Sequence, residues 1–152
     1  ILRESDFRNA DLRGAYLKGA DLRQANFQGA DFREAILTGV DLRDADLRHT
    51  QLGLADFRKA DFRNTRLTGA DLRCADLRGA KRLSLATLQT VKTLFRAELD
   101  PAIQQQLETT NKELFKKPAD TWFDMTTPYN VDRKYICEGA QLSILKKTRP
   151  KF

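Results

Sequence analysis

The chain has 152 residues, a mass of 17.4 kDa and a formal net charge of +6, with 32% charged residues and a mean hydropathy of −0.56. That length fits one domain with a core and leaves little room for a second. No apolar run is long enough to cross a bilayer as a helix, and the two cysteines, Cys74 and Cys137, show no metal-ligand spacing.

Residues 1 to 80 are a run of five-residue units centred on Leu or Phe: Leu2, Phe7, Leu12, Leu17, Leu22, Phe27, Phe32, Leu37 and onward without a skip to Leu77. Two positions before each centre stands a small residue, nearly always Ala, with Ser5, Val40, Thr50 and Thr65 as the departures. One position before is usually Asp or Asn, and one after is usually Arg. A period of five suits neither a helix at 3.6 nor a flat strand at 2.0. A short extended piece fits it: side chains two apart point the same way, so Ala and Leu face inward, and the chain then turns a corner over polar positions. One such unit buries too little alone and must stack on copies of itself as a solenoid.

The stretches ADLRG, ANFQG, ADFRE and ADLRC match the pattern A(D/N)LXX, and in them the chain resembles the pentapeptide-repeat family. The resemblance covers about half the chain and implies a β solenoid, a right-handed quadrilateral β-helix with four pentapeptides per turn and about four coils over residues 1–82. It also points to cyanobacterial or chloroplast-like relatives, many without an assigned biochemical role, so it implies fold more than function.

With four units per turn, residues twenty apart stack about 4.8 Å apart. Arg3, Arg23, Arg43 and Arg63 then form one outward column, with Asp21, Asp41 and Asp61 beside it. Stacked like charges repel, and an adjacent column of opposite sign offsets this. The near-balance bears on function. A DNA-mimic inhibitor of a DNA-processing enzyme such as gyrase, a role the resemblance brings with it, needs a strongly acidic face, whereas here nearly every Asp has an Arg two residues on. Direct nucleic-acid binding is disfavoured too: acids interleave the arginines and no aromatic platform is evident.

Departures from the motif point to a surface. Tyr16 and Ile36 replace Asp at an outward position in successive turns, and Leu54 and Cys74 occupy the corner just before that column in the next two. Together they form an oblique apolar stripe, and contiguous exposed apolar surface is usually covered. The expected cover is the C-terminal tail, with a partner protein as the alternative.

The repeat register fails after Ala80. Residues 83–118 are expected to form two helices that cap the C-terminal end of the coil, where open edges invite aggregation. Ser84 is a plausible N-cap for a first helix with Leu85, Leu88, Val91 and Leu94 or Phe95 on one side. Asp100 and Pro101 open a second that carries Ile103, Leu107, Leu114 and Phe115 and stops before Pro118. Residues 119–152, with Trp122, Phe123, Met125, Tyr129 and Tyr135, are expected to be irregular and to fold back on the solenoid; Leu142, in a small-polar-Leu match, is a candidate for one added strand. Lys146, Lys147, Arg149 and Lys151 read as a solvated basic tail.

No catalytic constellation stands out: His49 sits at an outward corner without a cysteine or serine partner, and the acids follow the solenoid period. No cofactor, metal or small-molecule substrate is expected. The reading is a non-enzymatic structural or protein-binding module with another protein as partner, and oligomerisation is open through the N-terminal coil end. Cys74 and Cys137 are expected to be two free thiols, with a disulfide that pins the tail as the alternative in an oxidising compartment. The sequence opens at Ile1 in register and without Met, so an upstream segment is expected to have been removed. The compartment is then the cytoplasm, or the periplasm or thylakoid lumen if a signal peptide preceded Ile1.

Overall fold

The protein is described here from a computed structural model over residues 2–119. Parallel bridges join Asp6 to Asn26, Asp11 to Asp31, Tyr16 to Ile36 and Asp21 to Asp41, each pair twenty residues apart, and the series repeats through Asp61 and Lys81. One turn of the coil therefore holds four pentapeptides. Among the described residues the pairing is confined to isolated bridges, because each unit is extended over only a few residues before it turns.

One unit shows how the sequence produces this path. The Asp31 N–H donates back to the Ala10 carbonyl at 2.9 Å, and the Phe32 N–H donates forward to Gln51 at 2.8 Å, so the extended piece is paired on both sides. The Ala35 N–H then closes a turn onto the Phe32 carbonyl at 3.0 Å. The third residue of that turn, Glu34, has φ 64°, the left-handed value such a turn requires. Glu4, Asn9, Gln24, Asp44, His49, Leu54 and Cys74 hold the same corner in other units. The preference for Asp or Asn before each centre also has a local cause. The Asp31 carboxylate accepts the Arg33 N–H at 3.0 Å, an Asx turn that fixes the corner, and Asn26 does the same for Gln28 at 3.1 Å.

Inside the coil the centres and the small residues are buried together. Leu22, Phe27, Phe32, Leu37, Leu42 and Leu47 are at most 1% exposed, as are Ala25, Ala30 and Ala35. Phe7 stacks on Phe27 at 5.2 Å, and Phe27 meets Phe32 edge-on at 5.0 Å. Where Thr replaces Ala, the buried hydroxyl is satisfied: Thr50 donates to the Leu47 carbonyl at 2.6 Å and Thr65 to Leu42 at 2.8 Å.

The chain beyond Ala80 departs from the expected pair of helices. The first helix, α1, covers only Leu85–Leu88, with the Ser84 hydroxyl accepting the Thr87 N–H. The helix expected to run on to Leu94 or Phe95 gives way to another rung: Thr93 bridges Asp71 and Glu98 bridges Asp76, now twenty-two residues apart. Two inserted residues accommodate α1, after which Leu94, Ala97 and Leu99 resume the inward positions. The second helix, α2, spans Pro101–Thr110, and a separate 3-10 turn follows at Lys112–Phe115, so Leu114 and Phe115 lie outside the helix proper. Asp100 is the N-cap residue of α2 as expected, and its carbonyl accepts the Gln104 N–H at 3.1 Å, but its carboxylate accepts the Gly79 N–H at 3.0 Å rather than one from the helix. Leu107 and Leu114 are buried in the same cluster as the coil centres.

The expectations for residues 120–152, including the fold-back of the tail, the Leu142 strand, the basic terminus and a Cys74–Cys137 disulfide, lie outside the described residues.

Candidate functional site: the outer faces of the coil

Each outer face is a lattice of Asp–Arg pairs. In Asp-x-Arg the side chains two apart project on the same side, and the Arg guanidinium closes onto the carboxylate that already holds its own N–H. Arg8 meets Asp6 at 2.7 Å, Arg13 meets Asp11 at 2.7 Å, Arg43 meets Asp41 at 2.6 Å and Arg48 meets Asp46 at 2.6 Å. Some arginines also reach the next coil, as Arg23 does to Asp41 at 3.5 Å and Arg58 to Asp76 at 3.6 Å. These contacts set the charge states. The Arg13 side chain, then its backbone N–H, lowers the Asp11 carboxyl to about 2. For Asp56 burial pulls upward, yet the hydrogen bonds from Arg58 and Thr38 outweigh it and the net shift is downward.

The four residues of the expected stripe fall into two environments. Tyr16 and Ile36 are bridge partners in successive coils and stand 70% and 38% exposed. Leu54 and Cys74, although at outward corners, are 3% and 6% exposed and form a small cluster separate from the main core. Their neighbours are closed off as well. Asp71 and Arg73 pair with one another at 1% and 3% exposure, where an unpaired charge would be costly. The outer surface is thus open at Tyr16 and Ile36 and closed at Leu54, Asp56, Cys74 and Asp76.

His49 lies at a solvent-facing corner with its ring over the next coil's Gly69, where an added Cβ would come within 2.5 Å of Nδ1. Among the described residues no group of His, Cys, Asp and Glu is placed to hold a metal ion, and no helix is long and apolar enough to cross a membrane.

The arginine column Arg3, Arg23, Arg43 and Arg63 lines a groove of about 230 Å³ with Gln24 and Asp44. One pair in this column is not closed. Asp61 accepts the Arg63 N–H at 3.0 Å, but its carboxylate is taken by Arg82 at 3.0 Å. Sequence reading placed the column but missed the groove, because the partner of Asp61 comes from beyond the repeats. The signal was Arg82 itself, a charged residue where the register asks for an apolar centre.

A family model described as Pentapeptide repeats (8 copies) matches residues 1–39, 35–73 and 45–81. Among solved structures, a pentapeptide repeat protein from Nostoc Pcc 7120 is 30% identical over 62% of this chain and 76% of its own, with a TM-score of 0.38. A pentapeptide repeat protein of the Arabidopsis thaliana thylakoid lumen is 28% identical over 71% of this chain and 74% of its own, with a TM-score of 0.30. QnrB1, a plasmid-mediated fluoroquinolone resistance protein, is 18% identical over 76% of this chain and 66% of its own, with a TM-score of 0.34. Among curated proteins no sequence matches significantly.

Proposed function

Because the chain belongs to the pentapeptide-repeat family, we propose that it is a non-enzymatic scaffold or protein-binding module, a right-handed quadrilateral β-helix whose rigid outer faces meet a partner protein. The observation that carries this reading is the exposed apolar pair Tyr16 and Ile36, stacked in successive coils on a surface otherwise built from Asp–Arg pairs. Uncovered apolar side chains in register offer a partner buried area that the charged lattice does not.

Helices α1 and α2 with the 3-10 turn cap the C-terminal end, supported by the burial of Leu88, Leu107 and Leu114 in the coil's own cluster. The paired carboxylates weigh against a DNA-mimic inhibitor of gyrase, which needs an uncompensated acidic face.

The test is a photocrosslinking residue at position 16 of the full chain, compared with one at Lys59 on the charged lattice. Cross-linking to a protein partner from position 16, lost in Ile36→Arg, is the expected result. Equal labelling from both positions, insensitive to Ile36→Arg, would remove the reading.

A further inference from the structure

The Asp-x-Arg units of the described chain begin at Asp6, Asp11, Asp21, Asp31, Asp41, Asp46, Asp56, Asp61, Asp71 and Asp76. In all but one the arginine side chain bonds its own aspartate. The exception is Asp61: Arg82, at φ 56° just past the repeats, swings its guanidinium onto that carboxylate at 3.0 Å. Among the described residues Arg63 keeps only its backbone contact to Asp61, and its guanidinium meets no carboxylate. That guanidinium lines the groove with Arg3, Arg23 and Arg43. The acid at the groove's rim, Asp44, is held by Asn64 at 3.0 Å, and Asp41 is held by Arg43 and Arg23.

We propose that this groove is a docking site for a carboxylate side chain of a partner protein, with Arg63 as the residue that receives it. The proposal deepens the protein-binding reading above and rests on it. A guanidinium presents its N–H groups as a planar fork that matches a carboxylate with two parallel hydrogen bonds. Arg43, one coil away and half-buried, adds positive potential on one side of Arg63 while its own fork stays on Asp41. The site therefore takes one anionic group well. A nucleic acid needs several free cations to neutralise successive phosphates, and along this column Asp21, Asp41, Asp44 and Asp61 stand between the arginines. An Asp or Glu side chain on an extended acidic segment fits this pattern of one open and several closed arginines.

The interplay of Asp61, Arg63 and Arg82 makes the test specific. A fluorescein-labelled decapeptide rich in Glu is titrated with the full chain by anisotropy, with its Gln counterpart as blank, a single-stranded DNA of equal charge as a second arm and inorganic phosphate as competitor. The Glu peptide binds and the Gln peptide does not. Arg63→Ala weakens binding at least about tenfold, while Arg48→Ala on the next face leaves it unchanged. Arg82→Ala weakens it too, because Asp61 is released to close onto Arg63, and Asp61→Asn in that background restores it. Matching circular dichroism of all variants keeps folding out of the comparison. Binding that ignores Arg63, DNA bound more tightly than the peptide through the same residue, or displacement by phosphate with no preference for the Glu peptide overturns the proposal. A negative peptide titration alongside an intact cross-link from position 16 removes this site alone; loss of the cross-link removes the module reading itself.

Discussion

The Leu94 N–H donates to the Leu114 carbonyl at 2.7 Å, so the rung at Thr93 and Leu94 pairs onward with the 3-10 turn, whereas the rungs below it, at Leu52 and Leu72, pair onward with another rung. Thr93 adds its hydroxyl to the same carbonyl at 3.2 Å, and Leu107 of α2, fully buried, fills the space over the final centres. An unpaired rung is a template for edge-to-edge association, and this arrangement occupies it with local chain. Leu107→Ala is expected to lower stability by about 2–5 kcal/mol, the range for an unfilled leucine site. Leu107→Asp is expected to go further and produce concentration-dependent association, read by light scattering. A monomeric, fully stable Leu107→Asp protein would show that α2 protects nothing.

Stacking makes the interior sensitive and the exterior tolerant. Leu42 is 1% exposed in the middle of the coil, and a carboxylate there has no partner and no water. Leu42→Asp is expected to abolish the cooperative urea transition. Arg43→Ala removes one contact from a lattice in which Arg23 also approaches Asp41, and exposed ion pairs contribute little; its midpoint is expected to stay close to that of the parent. Equal small effects from the two changes would contradict the inward assignment of the centres.

The aspartate before each centre does two jobs that substitutions separate. Asp46 accepts the Arg48 N–H at 3.1 Å and also the Arg48 guanidinium at 2.6 Å. Asp46→Asn keeps an acceptor for the N–H, as Asn26 does naturally for Gln28, whereas Asp46→Ala leaves that N–H without one. Ala is therefore expected to cost about 0.5–1.5 kcal/mol more than Asn, the net worth of one hydrogen bond. Equal denaturation midpoints for the two would place the value of the aspartate in its charge rather than in the turn.

Much of this fold was legible because one rule repeats. Leu22, Ala25 and Phe27 could be assigned inward from spacing alone, and the coil height of twenty residues follows once four units form a turn. Residues 89–99 were not legible. Leu85, Leu88, Val91 and Leu94 have the spacing of a helix face, and nothing local says that the helix ends at Leu88. The competing signal was Ala97-Glu98-Leu99, a unit of the repeat with Glu in place of Asp, obscured because two extra residues had shifted its phase. The Asp–Arg pairing was visible as two columns of opposite charge, since side chains two apart share a side. The capture of Asp61 by Arg82 was not, because it depends on where a residue beyond the repeats sends its side chain. The burial of Leu54 and Cys74 against the exposure of Tyr16 and Ile36 was equally hidden, all four being apolar residues at outward positions.

The aspartate lattice also fixes how stability responds to acid. Hydrogen bonds from Arg8, Arg13, Arg43 and Arg48 lower the carboxyls of Asp6, Asp11, Asp41 and Asp46, with Asp11 falling to about 2 from an ordinary 3.8. Asp56, against the upward pull of burial, is lowered by Arg58. A carboxyl whose folded value lies below its unfolded value binds fewer protons when folded, so folding is favoured wherever both states are ionised. That contribution is complete above the unfolded value near 3.8 and is lost as pH falls through the folded value near 2. The urea midpoint is expected to be level from neutral pH down to about pH 5, then to fall steeply between about pH 4 and pH 2. Several aspartates of one lattice titrate together, so the fall should be steeper than one group produces. The arginines stay charged throughout that range, their own values being raised further by the same contacts, and protonating the acids leaves the columns of positive charge without compensation. Added salt is expected to recover part of the loss by screening that repulsion. A midpoint that stays level to pH 2 would show that the Asp–Arg pairs contribute nothing to holding the coil together.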